Sequence, residues 1–203
     1  TLLRRTLPPI STRRRLSTDP RELRDELLVS RCQLGEPAAF DELIRLWEAK
    51  LLYYLRRLVP QEADAWDALQ RTWLAVFRDL RRLKEPRALR AWLYRVARNQ
   101  AVNHCRIELS HRSHVDEEAD PDEVAELDWS PAVDEAEQVH AALALLSLPH
   151  REVVTLHFLE QMPLDEIAEV TGTPVGTVKS RLHYAKRALK NLLDTGGDDH
   201  ESR

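Results

Sequence analysis

The sequence predicts an all-α protein, made of two small helical domains joined by an acidic flexible linker, with a helix-turn-helix in the C-terminal domain. Leucine (33) and alanine (21) far outnumber valine plus isoleucine (18) and glycine (5). This composition favours helices over β-sheets and over glycine-rich nucleotide-binding folds. Apolar residues also recur at spacings of three and four, which is the period of an amphipathic helix.

Hydropathy and cysteine content bound the class of protein. At 203 residues and 43% apolar, the chain can bury an ordinary core. No apolar run approaches the roughly 20 residues that a membrane span needs. Two distant cysteines, Cys32 and Cys105, give no disulfide framework and suit a reducing compartment. We therefore expect a soluble cytoplasmic protein with no membrane insertion.

Charge divides the chain into segments. Residues 1–18 carry five arginines and no acid, which is typical of a disordered basic arm, although an organellar transit peptide has a similar composition. No lysine or arginine lies between Arg112 and Arg151, while residues 116–137 hold eleven acids. These patterns predict, in order, the following segments: an N-terminal domain over 19–112, an acidic linker over 113–133, a C-terminal domain over 134–193 and a disordered tail over 194–203.

Proline and glycine positions mark the first two helices of the N-terminal domain. The first helix begins at Pro20 and ends at Gly35. The second begins at Pro37 and ends at Pro60, with apolar residues three and four apart between them.

A third helix is predicted from about Glu62 to Leu83, and a fourth from about 88 to 108 after a loop over 83–87. The third carries an apolar stripe that we expect to be buried, made of Trp66, Leu69, Trp73, Val76, Phe77 and Leu80.

The fourth helix carries positive charge along one flank. Residues 81–112 hold nine lysines or arginines against two acids. At about 100° per residue, six residues share one face, which we call the basic stripe: Arg95, Arg98, Asn99, Val102, Asn103 and Arg106. A solvated surface would explain the arginines, but asparagine is a poor helix former that hydrogen-bonds base edges. The stripe therefore predicts contacts to phosphates and bases. Trp92 and Tyr94 are the nearby aromatic candidates for base stacking, and Trp92 fits the core better.

The C-terminal domain contains the pattern of a helix-turn-helix. One helix begins at Pro163 and ends at Gly172, and a second follows Pro174 after a three-residue turn. The second helix of such a unit enters the major groove of DNA. No acid occurs over 175–193. The candidate DNA contacts on this helix are Thr177, Lys179, Ser180, Arg181, His183, Lys186 and Arg187.

Two stretches of sequence resemble the extracytoplasmic-function sigma factors of bacterial RNA polymerase. They are Trp92-Leu93-Tyr94-Arg95-Val96-Ala97-Arg98-Asn99 in the first domain and Gly176-Thr177-Val178-Lys179-Ser180-Arg181-Leu182 in the second. Leu148-Pro149 with Arg151, and Asp165-Glu166-Ile167-Ala168, fit the same family, as does the place of the acidic linker.

The resemblance implies a promoter-specificity subunit rather than an enzyme, with no catalytic residue, metal or cofactor. Its partners would be promoter DNA, the clamp and flap of core RNA polymerase, and an anti-sigma factor of the kind typical of the family. The loop and fourth helix would bind and open the minus-ten element, with contacts from Lys84, Arg87, Arg95, Arg98, Asn99, Asn103 and Arg106. The helix-turn-helix would read the minus-thirty-five element, and the acidic linker would mimic RNA phosphates in the polymerase exit path.

The segment expected to contact core polymerase departs from the family pattern. Trp66 and Arg71 stand where the family usually has acids, which leaves Asp64, Asp67 and Gln70 as the candidate contacts. Phosphorylation of Thr72 by a Ser/Thr kinase would restore about −1.5 to −2 of charge beside Arg71, whereas a simpler interpretation is that Trp66 packs and Arg71 is solvated.

Two other functions remain open at this stage. An autonomous helix-turn-helix regulator would use the C-terminal domain alone, as a dimer on paired half-sites. A metalloenzyme would use imidazole and thiolate ligands from His104, Cys105, His111 and His114, although His104 and Cys105 are adjacent in sequence and no catalytic constellation joins them.

Overall fold

The computed structural model describes residues 20–112 and 141–197, with side chains described over 23–103 and 141–193. The basic arm and the acidic linker predicted from sequence lie outside these ranges. Within them, the chain is helical and contains no β-strand. The predicted all-α class is confirmed.

The helices follow the predicted order. In the N-terminal domain they are α1 (Pro20–Gln33), α2 (Pro37–Leu58), α3 (Glu62–Asp79) and α4 (Leu89–Arg112), with short 3₁₀ turns at Leu80–Arg82 and Pro86–Ala88 between α3 and α4. In the C-terminal domain, residues 141–145 are helical and are followed by α5 (Leu148–Val154), a π-helical turn (Thr155–Leu159), α6 (Leu164–Thr171) and α7 (Val175–Gly197).

Two helices run further than their predicted ends. Helix α4 continues from residue 108 to Arg112. Helix α7 continues past residue 193 to Gly197, so the first four residues of the predicted disordered tail are helical. Between Gly176 in its first turn and Gly196 near its end, α7 contains no proline or glycine that would end the helix sooner.

Part of the apolar stripe predicted for α3 is exposed. Leu69, Val76 and Leu80 are buried and Trp73 packs against the core, but Trp66 and Phe77 are 42% and 68% exposed. The buried face of α3 is centred on small residues such as Ala65 and Ala68 as well as on the leucines and valine. At 100° per residue, Trp66 and Phe77 lie roughly 120–140° from that centre. The prediction that they are buried was wrong.

The two halves of the chain pack against each other. Helix α6 lies on α4, and α5 lies on α2. The buried apolar residues of both halves form one continuous cluster, in which Tyr54 and Tyr94 meet edge to face with ring centroids 5.1 Å apart. No helix among the described residues is long and apolar enough to span a membrane.

Candidate nucleic-acid interface

The turn between α6 and α7 has the geometry that its sequence predicts. Gly172 ends α6 in the left-handed region, with φ of 67° and ψ of 26°. Its N–H donates to the carbonyl of Ala168, as does that of Thr173 at 3.2 Å. The Thr171 hydroxyl donates to the Ile167 carbonyl at 2.8 Å and lies 2.9 Å from the Thr173 hydroxyl. These bonds fix the direction in which α7 leaves the turn.

Helix α7 presents a basic face to solvent. Its core side is formed by Val178, Leu182 and Ala185. Of the seven candidate DNA contacts, two are half-buried, Thr177 and Arg181, and five are exposed: Lys179, Ser180, His183, Lys186 and Arg187. All seven therefore lie outside the fully buried side of the helix.

Two aromatic residues next to this face were not anticipated from the sequence. Tyr184 is 58% exposed, and its ring lies 5.5 Å from that of His183. Phe158, in the π-helical turn, is 46% exposed and lies 4.8 Å beneath the Lys186 ammonium, within cation–π distance. Phe158 stands among apolar neighbours in the sequence, which gave no signal of its exposure, whereas the position of Tyr184 three residues after Arg181 and seven after Thr177 could have placed it on this face.

On α4, the basic stripe is divided. Arg95, Asn99 and Asn103 are exposed, whereas the side chain of Arg98 is only 27% exposed. Val102 is 43% exposed, and the side chain of Arg106 lies outside the described part of the chain.

The two aromatic stacking candidates on α4 both belong to the core. Tyr94 is fully buried, and its ring meets that of Trp47 edge to face. Trp92 packs against the core, as its place on the apolar side of the helix predicts. Burial, with a contribution from the Glu160 carboxylate, raises the pKa of the Tyr94 hydroxyl.

The loop before α4 is held from the side by α1. The Gln33 amide donates to the carbonyls of Leu80 and Leu83, at 3.2 and 2.8 Å. Arg87 forms an ion pair with Glu26 of α1, while Lys84 is exposed. The two basic residues predicted to contact DNA here are thus on the surface, and one of them already has a carboxylate neighbour.

The α3 candidates for polymerase contact have different environments. Asp67 and Gln70 are exposed, but Asp64 is buried. Thr72 has no exposed surface, and its hydroxyl donates to the Ala68 carbonyl at 2.7 Å. A kinase cannot reach that hydroxyl while α3 keeps this packing, because the side chain is fully buried.

An apolar surface surrounds the exposed polar candidates on α3. Leu74 is 72% exposed and Phe77 is 68% exposed. At 100° per residue these two residues share a sector about 100° wide with Trp66, Asp67 and Gln70. We call these five residues the α3 outer face. Exposed apolar side chains clustered around a carboxylate are typical of a protein-binding surface.

A buried carboxylate joins the two halves of the chain. Glu152 of α5 is 3% exposed. Its Oε1 accepts hydrogen bonds from the Tyr54 hydroxyl at 2.7 Å and from the Arg98 Nε at 2.8 Å. Burial, followed by the charge of Glu152, raises the pKa of Tyr54. Sequence reasoning missed Glu152, whose position directly before the apolar pair Val153 and Val154 was the available signal of burial.

Two further interactions cross the same boundary. Arg90 of α4 and Glu166 of α6 form an ion pair with an Nη2–Oε2 distance of 2.8 Å. Arg151 donates from Nη1 to the carbonyl of Arg57 at 3.2 Å, and burial lowers the pKa of Arg151. Polar contacts therefore flank the apolar interface on several sides.

The hypothetical metal ligands are not placed by the structure. The side chains of His104, Cys105 and His111, and all of His114, lie outside the described ranges. Among the residues that are described, no group of three or more His, Cys, Asp or Glu side chains is arranged to hold a metal ion.

Comparison with known proteins defines the class. Residues 43–108 match the family model of sigma-70 region 2, and residues 136–189 match that of sigma-70 region 4. Both halves thus match sigma-70 regions, so the class is a transcription initiation factor and not an enzyme, and an autonomous regulator is not favoured.

The chain is 33% identical over 180 residues to the RNA polymerase sigma-H factor of Pseudomonas aeruginosa, covering 83% of this chain and 93% of that protein. It is 30% identical over 185 residues to the ECF RNA polymerase sigma-E factor of Escherichia coli K12, covering 85% and 95%. The chain belongs to the extracytoplasmic-function sigma factors of bacterial RNA polymerase.

Solved structures show the same fold. The structure of CnrH in complex with the cytosolic domain of CnrY matches with a TM-score of 0.61 and 25% identity, covering 84% of this chain and 97% of that one. The sigma factor RpoE from Bartonella quintana, solved in complex with the anti-sigma factor NepR, matches with a TM-score of 0.61 at 24% identity, covering 76% and 96%. The second likeness concerns the fold alone.

Proposed function

We propose that this sigma factor directs promoter recognition through two separate basic helix faces, with α4 on the minus-ten element and α7 on the minus-thirty-five element. The observation that carries the proposal is the presence of both faces on one chain, each on a segment that matches the corresponding sigma-70 region. An autonomous helix-turn-helix regulator needs only the α7 face. Run-off transcription with core RNA polymerase and a promoter library tests the proposal, and it fails if the chain neither binds core polymerase nor supports initiation.

We propose that Arg181 contacts a base edge and that Lys179 contacts a phosphate. Both lie in the first two turns of α7, which is where a recognition helix reaches DNA. Arg181→Ala should cost about 1–3 kcal/mol and relax specificity at one position, whereas Lys179→Ala should weaken all sequences alike and lower the salt slope by about one. Binding titrations at several salt concentrations, on duplexes that differ at single positions, separate these roles.

The matched control for these variants is Lys190→Ala. Lys190 is exposed on the same helix, eleven residues after Lys179 and therefore about 16 Å further along the axis, beyond the first two turns. It should leave specificity unchanged. If Arg181→Ala and Lys179→Ala behave like this control on every duplex, then α7 does not read DNA.

We propose that the exposed part of the basic stripe holds the opened strand of the minus-ten element. Support comes from the exposure of Arg95, Asn99 and Asn103 along one side of α4. Asn103→Ala, and Arg98→Ala combined with Asn99→Ala, should reduce permanganate reactivity of unpaired promoter thymines without reducing core binding. Arg45→Ala, which removes an exposed arginine from α2, is the control for loss of positive charge. If the stripe variants open the promoter as the wild type does, then the basic stripe is a solvated surface that does not hold DNA.

We propose that the α3 outer face binds the core polymerase clamp. Asp67 and Gln70 provide the polar contacts, and Leu74 and Phe77 provide apolar area around them. Asp67→Lys should weaken core binding by about tenfold or more, since reversing a charge at an interface costs on the order of one to several kcal/mol. Asp41→Lys, at an exposed position of α2, makes the same charge change away from this face. Equal core affinity of the two variants would exclude Asp67 from the interface.

We also propose that the protein works in the cytoplasm, where core polymerase lies, under control of an anti-sigma protein. CnrH, which matches this chain at 25% identity, was solved in complex with the cytosolic domain of CnrY, and this supports control by a protein partner. The test is to purify the chain from its native host and to add any co-purifying protein to run-off transcription. Loss of transcription supports the proposal, and unaffected transcription contradicts it.

A further inference from the structure

The loop before α4 is built from two short turns. Leu80–Arg82 and Pro86–Ala88 are single 3₁₀ turns, and residues 83–85 link them. The hydrogen bonds of a 3₁₀ turn have poorer geometry than those of an α-helix. A loop of this kind keeps one shape more securely when another part of the chain holds it.

One side chain of α1 holds the first of these turns at both ends. The Gln33 Nε2 donates to the Leu80 carbonyl at 3.2 Å and to the Leu83 carbonyl at 2.8 Å. A glutamine amide has two N–H donors, so both are used here. The Leu83 N–H also donates to the Leu80 carbonyl, at 3.1 Å. Gln33 therefore closes the turn from outside and fixes the direction in which residues 84–87 leave it.

The same face of α1 also holds the second turn. Glu26 forms an ion pair with Arg87, and the two side chains are 28% and 38% exposed. Glu26 and Gln33 are seven residues apart, which is about two turns of an α-helix, so both project from one side of α1. Both ends of the loop are thus fastened to a single helix face.

Helix α1 is itself anchored and can act as a rigid support. Leu28, Val29 and Cys32 are buried in the core. Arg31 forms an ion pair with Glu42 of α2 at 2.9 Å. A hydrogen bond from α1 therefore fixes the loop relative to the rest of the N-terminal domain.

We propose that Gln33 is a positioning residue for promoter opening. It holds the carbonyls of Leu80 and Leu83, and thereby the shape of the loop that presents Lys84 and Arg87. This inference rests on the proposed role of α4, and of the loop that leads into it, at the minus-ten element. It adds a residue of α1 that acts through the loop and not by contact with DNA.

The expected effect follows from the population of the correct loop shape. A ligand that binds only one conformation has its apparent affinity reduced by the fraction of molecules in that conformation. A typical hydrogen bond shifts such an equilibrium by about fivefold. Loss of the Gln33 donors should therefore lower promoter opening by about fivefold, although every residue of the loop and of α4 is kept.

Three substitutions of Gln33 separate the hydrogen bonds from the packing of the side chain. Gln33→Met keeps the length of the side chain and removes both donors. Gln33→Asn keeps the amide but is one methylene shorter, so it cannot reach both carbonyls. Gln33→Lys restores a donor of sufficient length. The matched control is Gln61→Met, at an exposed position ahead of α3 whose side chain makes no capping hydrogen bond.

Two measurements follow the loop and its function separately. Amide hydrogen exchange, measured by NMR on the free chain, reports on the Leu83 N–H. Permanganate reactivity of unpaired promoter thymines, measured with core polymerase, reports on opening. We expect Gln33→Met and Gln33→Asn to speed exchange at Leu83 and to reduce opening, each by about fivefold relative to Gln61→Met. Gln33→Lys should return both quantities toward wild-type values, and core binding should be equal in all variants.

The outcomes are separable from those of the proposed function. Equal exchange for Gln33→Met and Gln61→Met would overturn the inference, and so would faster exchange with wild-type opening. An opening defect that persists in Gln33→Lys, although slow exchange is restored, would overturn it too. Failure of the wild type to open any promoter would overturn the proposed function, whereas the exchange rates are measured without polymerase or DNA and show independently whether Gln33 holds the loop.

Discussion

The helix-turn-helix turn allows two glycine substitutions, four residues apart, that should have opposite effects on stability. Gly172 has a φ of +67°, and a Cβ added there meets nothing within 4 Å, so the backbone conformation is the main cost of Gly172→Ala. A non-glycine residue in the left-handed region costs roughly 1–2 kcal/mol. The smaller conformational entropy of the unfolded alanine chain returns about 0.4–1 kcal/mol. We expect Gly172→Ala to lower the free energy of unfolding by about 1 kcal/mol.

Gly176 is the matched case in the first turn of α7. A Cβ added there also meets nothing within 4 Å, but the backbone of Gly176 is not in the left-handed region, so alanine fits without strain. Gly176→Ala should therefore raise the free energy of unfolding by about 0.4–1 kcal/mol. Urea denaturation followed by circular dichroism measures both changes. The slope of the free energy of unfolding against urea concentration should be the same in both variants and the wild type, which shows that their unfolded states expose the same surface. Two changes of the same sign would refute the assignment of the cost to the backbone conformation at Gly172.

Two further predictions concern the contacts between elements. Tyr54→Phe should lower the free energy of unfolding, measured in urea, by about 2 kcal/mol. A buried hydroxyl that donates to a carboxylate contributes about 1.5–3 kcal/mol, and Glu152 keeps its second partner, Arg98, in the variant. An unchanged free energy of unfolding would show that Arg98 alone holds Glu152. Arg31 pairs with Glu36 and Glu42 and lowers the pKa of both carboxyls in the folded chain. The stability that these ion pairs contribute is therefore present above the pKa of an unfolded glutamate, about 4.3, and is lost as the pH falls through the lower pKa values of the folded chain. The urea midpoints of wild type and Arg31→Met should differ at neutral pH and converge in acid, and a difference that persists at low pH would contradict this.

The helix-turn-helix was predictable because its signals are local. Gly172 ends one helix and Pro174 precedes the next, and both act within a few residues of their own position. The exposure of the basic residues on α7 then follows from helical periodicity. The same reasoning placed α1 and α2 between their prolines and glycine.

The contacts between the domains were not predictable in this way. Tyr54 and Glu152 are 98 residues apart in sequence, and helical periodicity contains no information about which distant face will cover another. The sequence therefore identified Arg98 as a surface arginine, although a carboxylate from α5 holds it half-buried. The exposed face of α3 was missed for a different reason, since the pattern was judged by its large apolar residues while small ones such as Ala65 and Ala68 define the buried side.

The brace that α1 provides for the loop before α4 has a consequence for how promoter selectivity can change. The match to sigma-70 region 2 begins at residue 43, after the whole of α1. Yet Gln33 holds the carbonyls of Leu80 and Leu83, and Glu26 holds Arg87. A fragment that begins at residue 43 keeps every residue of the loop and loses the groups that shape it. Exchange of α1 alone between relatives can therefore change the shape of the loop that we propose to meet DNA, while the sequence of the loop stays constant.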